Sequence, residues 1–191
     1  MEFLIIPLGS YLLGSIPFGF ILTKIFLKKD IRDIGSGNIG ATNVLRSGKK
    51  SIGYSTLILD ITKAVLPVIY VKLNYPDYIF VASLSAFLGH VFPVWLKFKG
   101  GKGVATYIGI LFSINFIYGF IFIGAWLFTF LISRYSSLSS ITASLMVPIY
   151  LLLFESYNLV FFIIMFVLIL YTHRENVKRL KNKEESKTKI Y

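Results

Sequence analysis

Long apolar runs, separated by short polar segments, make up most of the chain. A helix needs about 20 apolar residues to cross a bilayer, so runs of about that length predict membrane spans. We therefore expect an all-α integral membrane protein with seven transmembrane helices. The whole chain, 1–191, is predicted to be one domain, because each membrane helix must find its interior partners among the others. The predicted spans are residues 3–27, 52–71, 78–98, 104–116, 118–133, 140–154 and 158–172, followed by a polar tail at 173–191.

The apolar stretch 104–132 decides the number of spans. It is longer than one membrane span requires and shorter than two full spans require. If the chain turns within 115–119, every Lys and Arg falls on one side of the membrane except Lys63, inside a span, and Lys72. A single span would instead separate the basic tail from the basic segment 28–50. Because cytoplasmic loops collect Lys and Arg, the pattern predicts seven spans with the N-terminus outside and the C-terminus in the cytoplasm.

Composition supports a membrane protein and narrows its chemistry. Hydrophobic residues make up 55% of the chain and charged residues 15%, whereas a soluble domain carries about 25% charged residues. The mean hydropathy is +0.73. A net charge of +11 is typical of proteins that bind nucleic acid or anionic membranes. Because the chain is so apolar, we expect a membrane surface and no nucleic-acid partner. With no cysteine and two histidines there is little material for a thiol nucleophile or a metal centre, so no metal and no cofactor are expected.

The first polar segment with candidate chemistry is residues 35–46. Its glycines allow backbone N–H groups to turn toward an anion, and its other side chains add hydrogen-bond donors and one guanidinium. From composition alone, a flexible polar loop is an equal alternative. The glycine spacing also spells the dinucleotide-binding fingerprint, but that motif requires a βαβ unit, which membrane helices exclude. The candidate ligands are Gly35, Ser36, Gly37, Asn38, Gly40, Thr42, Asn43 and Arg46.

A second glycine-rich segment, residues 97–103, directly precedes a predicted helix. Leu96 stands where a Walker A loop requires glycine, so the segment is not an NTPase phosphate loop. Positive charge beside the unpaired N–H groups of a helix N-terminus nevertheless describes an anion site. The alternative is a lysine-rich anchor at the membrane interface. The candidate ligands here are Gly100, Gly101, Lys102 and Gly103.

Three ionisable residues lie inside predicted spans. Asp60 and Lys63 are three apart and share a helical face. A lone charge at this depth costs about 2.5–3.5 kcal/mol, so we expect the two to pair and to brace a polar cavity. His90 lies on the third span, at the depth of the glycine-rich segments. It is either an ordinary hydrogen-bonded core residue or part of the chemistry.

Two further pairs of polar residues occur near predicted cytoplasmic helix ends. Ser137 and Ser140 are three apart at the start of the sixth span, where hydroxyls cap a helix or bind phosphate. His173 and Asn176 follow the seventh span and share a helical face. Either pair alone is ordinary at a helix end. Together with the glycine-rich segments, they place the polar chemistry on the cytoplasmic side.

These motifs, in this order, resemble the bacterial acyl-phosphate-dependent glycerol-3-phosphate acyltransferases, the PlsY family, over essentially the whole chain. One position departs from the family pattern, since Ser139 stands where the family has glycine, and the ranking of Ser137, Ser139 and Ser140 stays open. The segments that carry the resemblance are 35–46, 59–63, 89–93, 98–106 and 173–176.

The resemblance implies an enzyme that transfers a fatty acyl group from acyl phosphate to the sn-1 hydroxyl of glycerol 3-phosphate, giving lysophosphatidic acid and phosphate. It implies a multi-pass protein of the bacterial inner membrane whose active site faces the cytoplasm. Its expected partners are acyl phosphate, glycerol 3-phosphate, membrane lipid and an enzyme that produces acyl phosphate. The His-x-x-x-x-Asp motif of thioester-using acyltransferases does not occur.

The resemblance also distributes roles among the candidate residues. The proton acceptor stays open between a phosphate oxygen of the acyl donor and His90 as general base. A small organic-phosphate transporter is the alternative function, but it would need polar residues along a path to the far side, and beyond Asp60 and Lys63 there are few. The expected catalytic residues are Ser36, Asn38, His90 and Lys102. The expected substrate-binding residues are Gly35, Gly37, Gly40, Thr42, Asn43, Arg46, Gly100, Gly101, Gly103, Ser137, Ser140, His173 and Asn176.

Overall fold

The computed structural model describes residues 1–155 and 158–188, and every regular element within them is helical. The all-α prediction is therefore confirmed for the described part of the chain. The α-helices there are α1 (Glu2–Gly14), α2 (Phe18–Leu27), α3 (Ala41–Arg46), α4 (Lys50–Asn74), α5 (Ile79–Val91), α6 (Val104–Ile114), α7 (Phe116–Ser133), α8 (Ser136–Phe154), α9 (Leu159–Thr172) and α10 (Arg174–Lys181). Short 3-10 helices occur at Ile31–Asp33, Pro76–Tyr78 and Val94–Leu96.

Several helical segments are long and apolar enough to cross a membrane. They are Glu2–Leu27, Pro76–Leu96, Phe116–Ser133 and Ser136–Phe154, with a fifth if α9 and α10, bent by 61°, count as one span. Helix α4 has 25 residues, about 37 Å at 1.5 Å per residue, and carries Asp60 and Lys63 near its middle. Helix α6 is apolar but only 11 residues long. Four to five candidate spans thus stand against the predicted seven, and the number seven stays a prediction.

The interruptions between helices have local causes in the sequence. The predicted span 3–27 consists of two helices, because Pro17 cannot continue α1 and instead precedes α2. The predicted span 78–98 leaves the helix at Phe92, directly before Pro93. The stretch 104–132 is divided at Asn115, whose side-chain oxygen accepts a hydrogen bond from the Ile117 N–H (2.9 Å) and caps α7. The predicted break in this stretch is therefore confirmed.

The chain forms two compact units, Met1–Ile114 and Asn115–Tyr191. In the first unit, α4 is central and contacts α1, α2, α3, α5 and α6. Helices α1 and α5 approach closely where glycine removes the side chain, since a Cβ atom at Gly14 would overlap the Ala86 carbonyl. In the second unit, α8 packs between α7 and α9, and α10 follows α9.

Candidate active site

Asn43 organises the loop that precedes α3. Its buried side-chain oxygen accepts a hydrogen bond from the Ser36 N–H (2.9 Å), and its amide group donates to the carbonyls of Ile34 and Asn38, both at 2.8 Å. A third contact joins it to the Ile31 carbonyl at 3.3 Å. Both polar atoms are therefore engaged within the loop. These contacts give Asn43 a loop-shaping role, and its substrate-binding role stays a prediction.

The glycines of this loop serve its backbone geometry. Gly35 and Gly37 have φ angles of +56° and +70°, a region that side chains disfavour. The N–H of Gly37 donates to the Ile34 carbonyl (3.0 Å), and the N–H of Gly40 donates to the Asn38 side chain (2.9 Å). Both N–H groups are thus engaged within the loop, and a phosphate would have to compete with these bonds. The role of these glycines as anion-binding amides stays a prediction.

The loop nevertheless presents free side-chain donors. Within residues 1–155 and 158–188, the Ser36 hydroxyl, the Thr42 hydroxyl and the Arg46 guanidinium make no hydrogen bond or ion pair, and neither does the NH₂ group of Asn38. Ser36 and Arg46 are exposed. A Cβ atom at Gly35 would lie 3.7 Å from the Arg46 Cδ, so the arginine stem passes beside this glycine. The loop and α3 together thus offer one cation and three neutral donors, a set suited to a phosphate.

Arg32, the other arginine of this region, is already paired. Its guanidinium contacts the Asp30 carboxylate at 2.6 Å. Hydrogen bonds from the Arg32 side chain lower the pKa of Asp30 to about 2, so the carboxylate is charged at neutral pH. Arg46 is consequently the arginine of the loop that is available to an anion.

A buried ion pair lies on α4. The Lys63 Nζ is 2.7 Å from the Asp60 Oδ1, and both side chains are 2% exposed, which confirms the predicted pairing. The same Nζ donates to the Ile16 carbonyl (2.7 Å), at the break between α1 and α2. This carbonyl lies between the two helices, where it also accepts from the Phe18 N–H (3.1 Å), and the lysine supplies a second donor. The pair therefore fixes the broken first span against α4.

His90 is enclosed between this ion pair and the second glycine-rich segment. It is buried, with its Nδ1 3.7 Å from the Asp60 Oδ1, and a Cβ atom on Gly101 would overlap its Nε2. The N–H groups of Gly101 and Gly100 donate to the carbonyls of His90 and Val91, each at 3.0 Å. These hydrogen bonds pack the segment against the end of α5, and the phosphate-binding role of the two amides stays a prediction. An imidazole covered on both sides is poorly placed to reach a substrate.

The other two candidate residues of the second glycine-rich segment lead into α6. Gly103 has a φ angle of +82°, and a Cβ atom there would overlap the Phe87 ring. Lys102 is half-buried two residues before the first residue of α6. The position of Gly103 therefore requires a glycine, and the binding roles of Gly103 and Lys102 stay predictions.

In the second unit, three donors converge on one carboxylate. The Ser137 hydroxyl and the Asn176 amide both donate to the Glu185 Oε1, at 2.8 Å each, and the Arg179 Nε donates to the Oε2 at 2.7 Å. Burial raises the pKa of Glu185, but the hydrogen bonds from Arg179, Asn176 and Ser137 outweigh it, and the pKa lies below its ordinary value. Glu185 is therefore an anion held by a set of donors that includes two predicted ligands.

The side chains of Ser139, Ser140 and His173 each contact a backbone carbonyl one turn earlier in the chain. The Ser140 hydroxyl donates to the Ser136 carbonyl (2.9 Å) and accepts from the Trp126 indole N–H (3.1 Å). The Ser139 hydroxyl donates to a carbonyl one turn back. The His173 Nδ1 lies 2.8 Å from the Ile169 carbonyl. Of the three serines, Ser137 is the one whose hydroxyl shares an acceptor with Asn176.

Glu185 and Arg179 were not among the candidate site residues predicted from the sequence. Arg179 follows Asn176 by three residues on α10, so the two share a helical face, and this spacing could have indicated it. No local pattern in the tail distinguishes Glu185 from its neighbour Glu184. In the described part of the chain, no three His, Asp or Glu side chains gather as a metal site would require.

Comparison with known proteins identifies the family of the chain. A family model described as "Glycerol-3-phosphate acyltransferase" matches residues 4–183. The glycerol-3-phosphate acyltransferase of Pelagibacter ubique (strain HTCC1062) is 81% identical over 191 residues, covering 100% of both chains. The protein of that name from Bradyrhizobium diazoefficiens is 50% identical over 180 residues, covering 93% of this chain and 91% of its own.

A solved structure extends the similarity to the fold. The crystal structure of PlsY, an integral membrane glycerol 3-phosphate acyltransferase, in its glycerol 3-phosphate form superposes with a TM-score of 0.91 at 37% identity, covering 98% of this chain and 96% of that one. Its lysophosphatidic acid form gives a TM-score of 0.88. The class of protein is therefore an integral membrane acyltransferase. The chain belongs to the glycerol-3-phosphate acyltransferase family, as represented by PlsY.

Proposed function

We propose that the protein transfers a fatty acyl group from acyl phosphate to the sn-1 hydroxyl of glycerol 3-phosphate, giving lysophosphatidic acid and phosphate. The observation that carries the proposal is the set of unpaired donors within residues 36–46, Arg46 among them, since both substrates bear phosphate. The similarity to a PlsY structure in a glycerol 3-phosphate form supports the acceptor substrate. An enzyme that makes acyl phosphate is then the required supplier.

The chemistry needs no nucleophile from the protein. The glycerol hydroxyl oxygen attacks the acyl carbonyl carbon, a new ester C–O bond forms, and the bond between that carbon and the phosphate oxygen breaks. The hydroxyl proton leaves with the phosphate. Acyl phosphate is already activated, which fits a chain without cysteine. The protein contributes orientation and donors to the developing charge, and one such donor is worth about 10²–10³ in rate.

The donors divide between the two substrates. We assign Ser36, Asn38, Thr42 and Lys102 to the acyl phosphate, and Arg46, Ser137 and Asn176 to glycerol 3-phosphate. Ser140 and His173 bond to carbonyls of their own helices, which supports a positioning role for both. Because His90 is buried against Gly101, a phosphate oxygen of the donor is the better proton acceptor, and His90 acts as a positioning residue for residues 100–103.

We also propose the membrane arrangement predicted from the charges: seven spans, the N-terminus outside, and the C-terminus and active site at the cytoplasmic face of the bacterial inner membrane. Because the chain has no cysteine, single cysteines can be labelled without background. Lys49→Cys, directly before α4, and Asp77→Cys, in the 3-10 helix that follows α4, are both exposed and should react with an impermeant maleimide from opposite sides. In inverted vesicles, whose outer surface is the cytoplasmic face, Lys49→Cys should react with maleimide added outside. Labelling of both positions from one side would contradict this arrangement.

The choice of acyl donor tests the proposed reaction. Purified protein with glycerol 3-phosphate should form lysophosphatidic acid from acyl phosphate and none from acyl-CoA or acyl carrier protein, because the donor's phosphate supplies both the binding charge and the proton acceptor. The assay must be free of enzymes that convert thioesters to acyl phosphate. Equal rates with a thioester donor would overturn the proposal, and product acylated at the sn-2 hydroxyl would overturn the stated regiochemistry.

A further inference from the structure

The C-terminal residues turn back from α10 toward the start of α8. Lys183 has a φ angle of +59°, in the left-handed region, and this turn reverses the chain after the helix. Further along, the Thr188 N–H donates to the Arg134 carbonyl at 2.9 Å, and the Lys187 Nζ lies 5.9 Å from the centre of the Tyr135 ring. Residues 182–188 are called the tail strap below.

Glu185 is the residue of the tail strap that bonds to polar side chains of the second unit. Its side chain is 7% exposed, and its two oxygens accept hydrogen bonds from Ser137, Asn176 and Arg179. One of these donors is a cation and two are neutral. The same mixture around an anion recognises phosphate oxygens in charge-assisted hydrogen bonds. The carboxylate therefore stands in the chemical environment that a phosphate needs.

We propose that Glu185 is an internal competitor of glycerol 3-phosphate. The tail strap fills the pocket formed by Ser137, Asn176 and Arg179, and it withdraws when the substrate phosphate takes the same donors. The inference rests on the proposed function, because that function places glycerol 3-phosphate at Ser137 and Asn176. It adds Arg179 as a substrate-binding residue and the tail strap as the segment that sets the apparent affinity.

The charge of the substrate and the contacts of the tail strap both favour its displacement by a phosphate. A phosphate group carries up to two negative charges and three acceptor oxygens, against one charge and two oxygens for a carboxylate. A non-glycine residue in the left-handed region is held at a conformational cost, which Lys183 recovers when the strap leaves. Apart from Glu185, one backbone hydrogen bond and one cation–π contact tie residues 187 and 188 to Arg134 and Tyr135. The Glu184 N–H also donates to the Arg179 carbonyl at 2.8 Å. A bound dianion therefore displaces Glu185 and the two contacts beyond it, while residues 182–184 can stay against α10.

A purely structural role for Glu185 predicts the opposite effect. If the carboxylate stays in place and orients Ser137 and Asn176 for a substrate bound elsewhere, its loss disorders both donors and weakens substrate binding. If it competes, its loss frees both donors and strengthens binding. The sign of the change in KM for glycerol 3-phosphate therefore separates the two.

The test measures KM for glycerol 3-phosphate at saturating acyl phosphate, on the purified full chain. Glu185→Gln should lower KM about 3- to 10-fold, since a site that is free for a tenth to a third of the time has its apparent affinity reduced by that fraction. In the Glu185→Gln background, Arg179→Gln should raise KM again, because it removes a phosphate ligand. Glu184→Gln, an exposed neighbour with the same change of charge, should leave KM unchanged.

Each outcome decides the inference. A KM that is unchanged or higher in Glu185→Gln overturns it while leaving the proposed function intact. A wild-type protein that transfers no acyl group overturns the proposed function, and the inference with it. If Glu185→Gln does not fold, a chain that ends at Lys181 removes the whole tail strap, and it should lower KM at least as far.

Discussion

Arg46→Lys is expected to lower kcat/KM for glycerol 3-phosphate about 10- to 100-fold, because a hydrogen bond to a charged group is worth ~1.5–3 kcal/mol. Lysine keeps the charge but loses the planar pair of N–H groups that a guanidinium offers to a phosphate. No group in the described segments pairs with the Arg46 guanidinium, so the substitution breaks no internal contact. Steady-state kinetics of the purified variant measure the loss.

Arg32→Lys is the matched control for this prediction. Arg32 lies in the same basic segment, 28–50, but its guanidinium is paired with Asp30, and an exposed ion pair contributes about 0–1 kcal/mol. Its kinetics should stay near those of the wild type. Near-normal kinetics for Arg46→Lys as well would remove Arg46 from the site.

Lys63→Met is expected to destabilise the protein by about 3–5 kcal/mol, because it leaves the buried Asp60 carboxylate without its partner. The substitution also removes the donor to the Ile16 carbonyl, so the break between α1 and α2 loses its support. Thermal unfolding in detergent should show this as a much lower midpoint. The first consequence follows from the 2.7 Å contact between two side chains that are 2% exposed, and the second from the 2.7 Å hydrogen bond to Ile16.

Two further variants separate the ion pair from a general effect of losing a lysine. Lys72→Met, on the same helix, removes an exposed ammonium that donates to the carbonyls of Ser113 and Ile114, and it should cost about 0.5–1.5 kcal/mol. The double variant Asp60→Asn with Lys63→Met should recover part of the stability, since no buried charge remains unpaired. A single Lys63→Met variant as stable as Lys72→Met would show that the pair contributes little.

The features that could be predicted from the sequence depend on local patterns. Apolar runs predict helices because burial in lipid leaves the backbone no other hydrogen-bond partner. The spacing of Asp60 and Lys63 puts them on one helical face, and a break between 115 and 119 is found at Asn115. The run 3–27 was predicted as one helix because hydrophobicity alone conceals the stop that Pro17 imposes.

The features that could not be predicted depend on how the backbone turns in space. Composition marked Asn43 as a ligand, yet its amide points into the loop and holds three carbonyls. The Gly100 and Gly101 amides looked available, but the segment folds back so that they meet the carbonyls of Val91 and His90. Glu185 meets Asn176 only because the chain reverses after α10, at Lys183.

In the proposed reaction, acyl transfer occurs directly between two phosphate-bearing substrates, without an acyl-enzyme. Phosphate release and lysophosphatidic acid formation, followed together from defined acyl phosphate in proteoliposomes, test this. We expect both products to appear in equal amounts, and only when glycerol 3-phosphate is present. A burst of phosphate without glycerol 3-phosphate would contradict it, and so would movement of glycerol 3-phosphate across the bilayer without any acylated product.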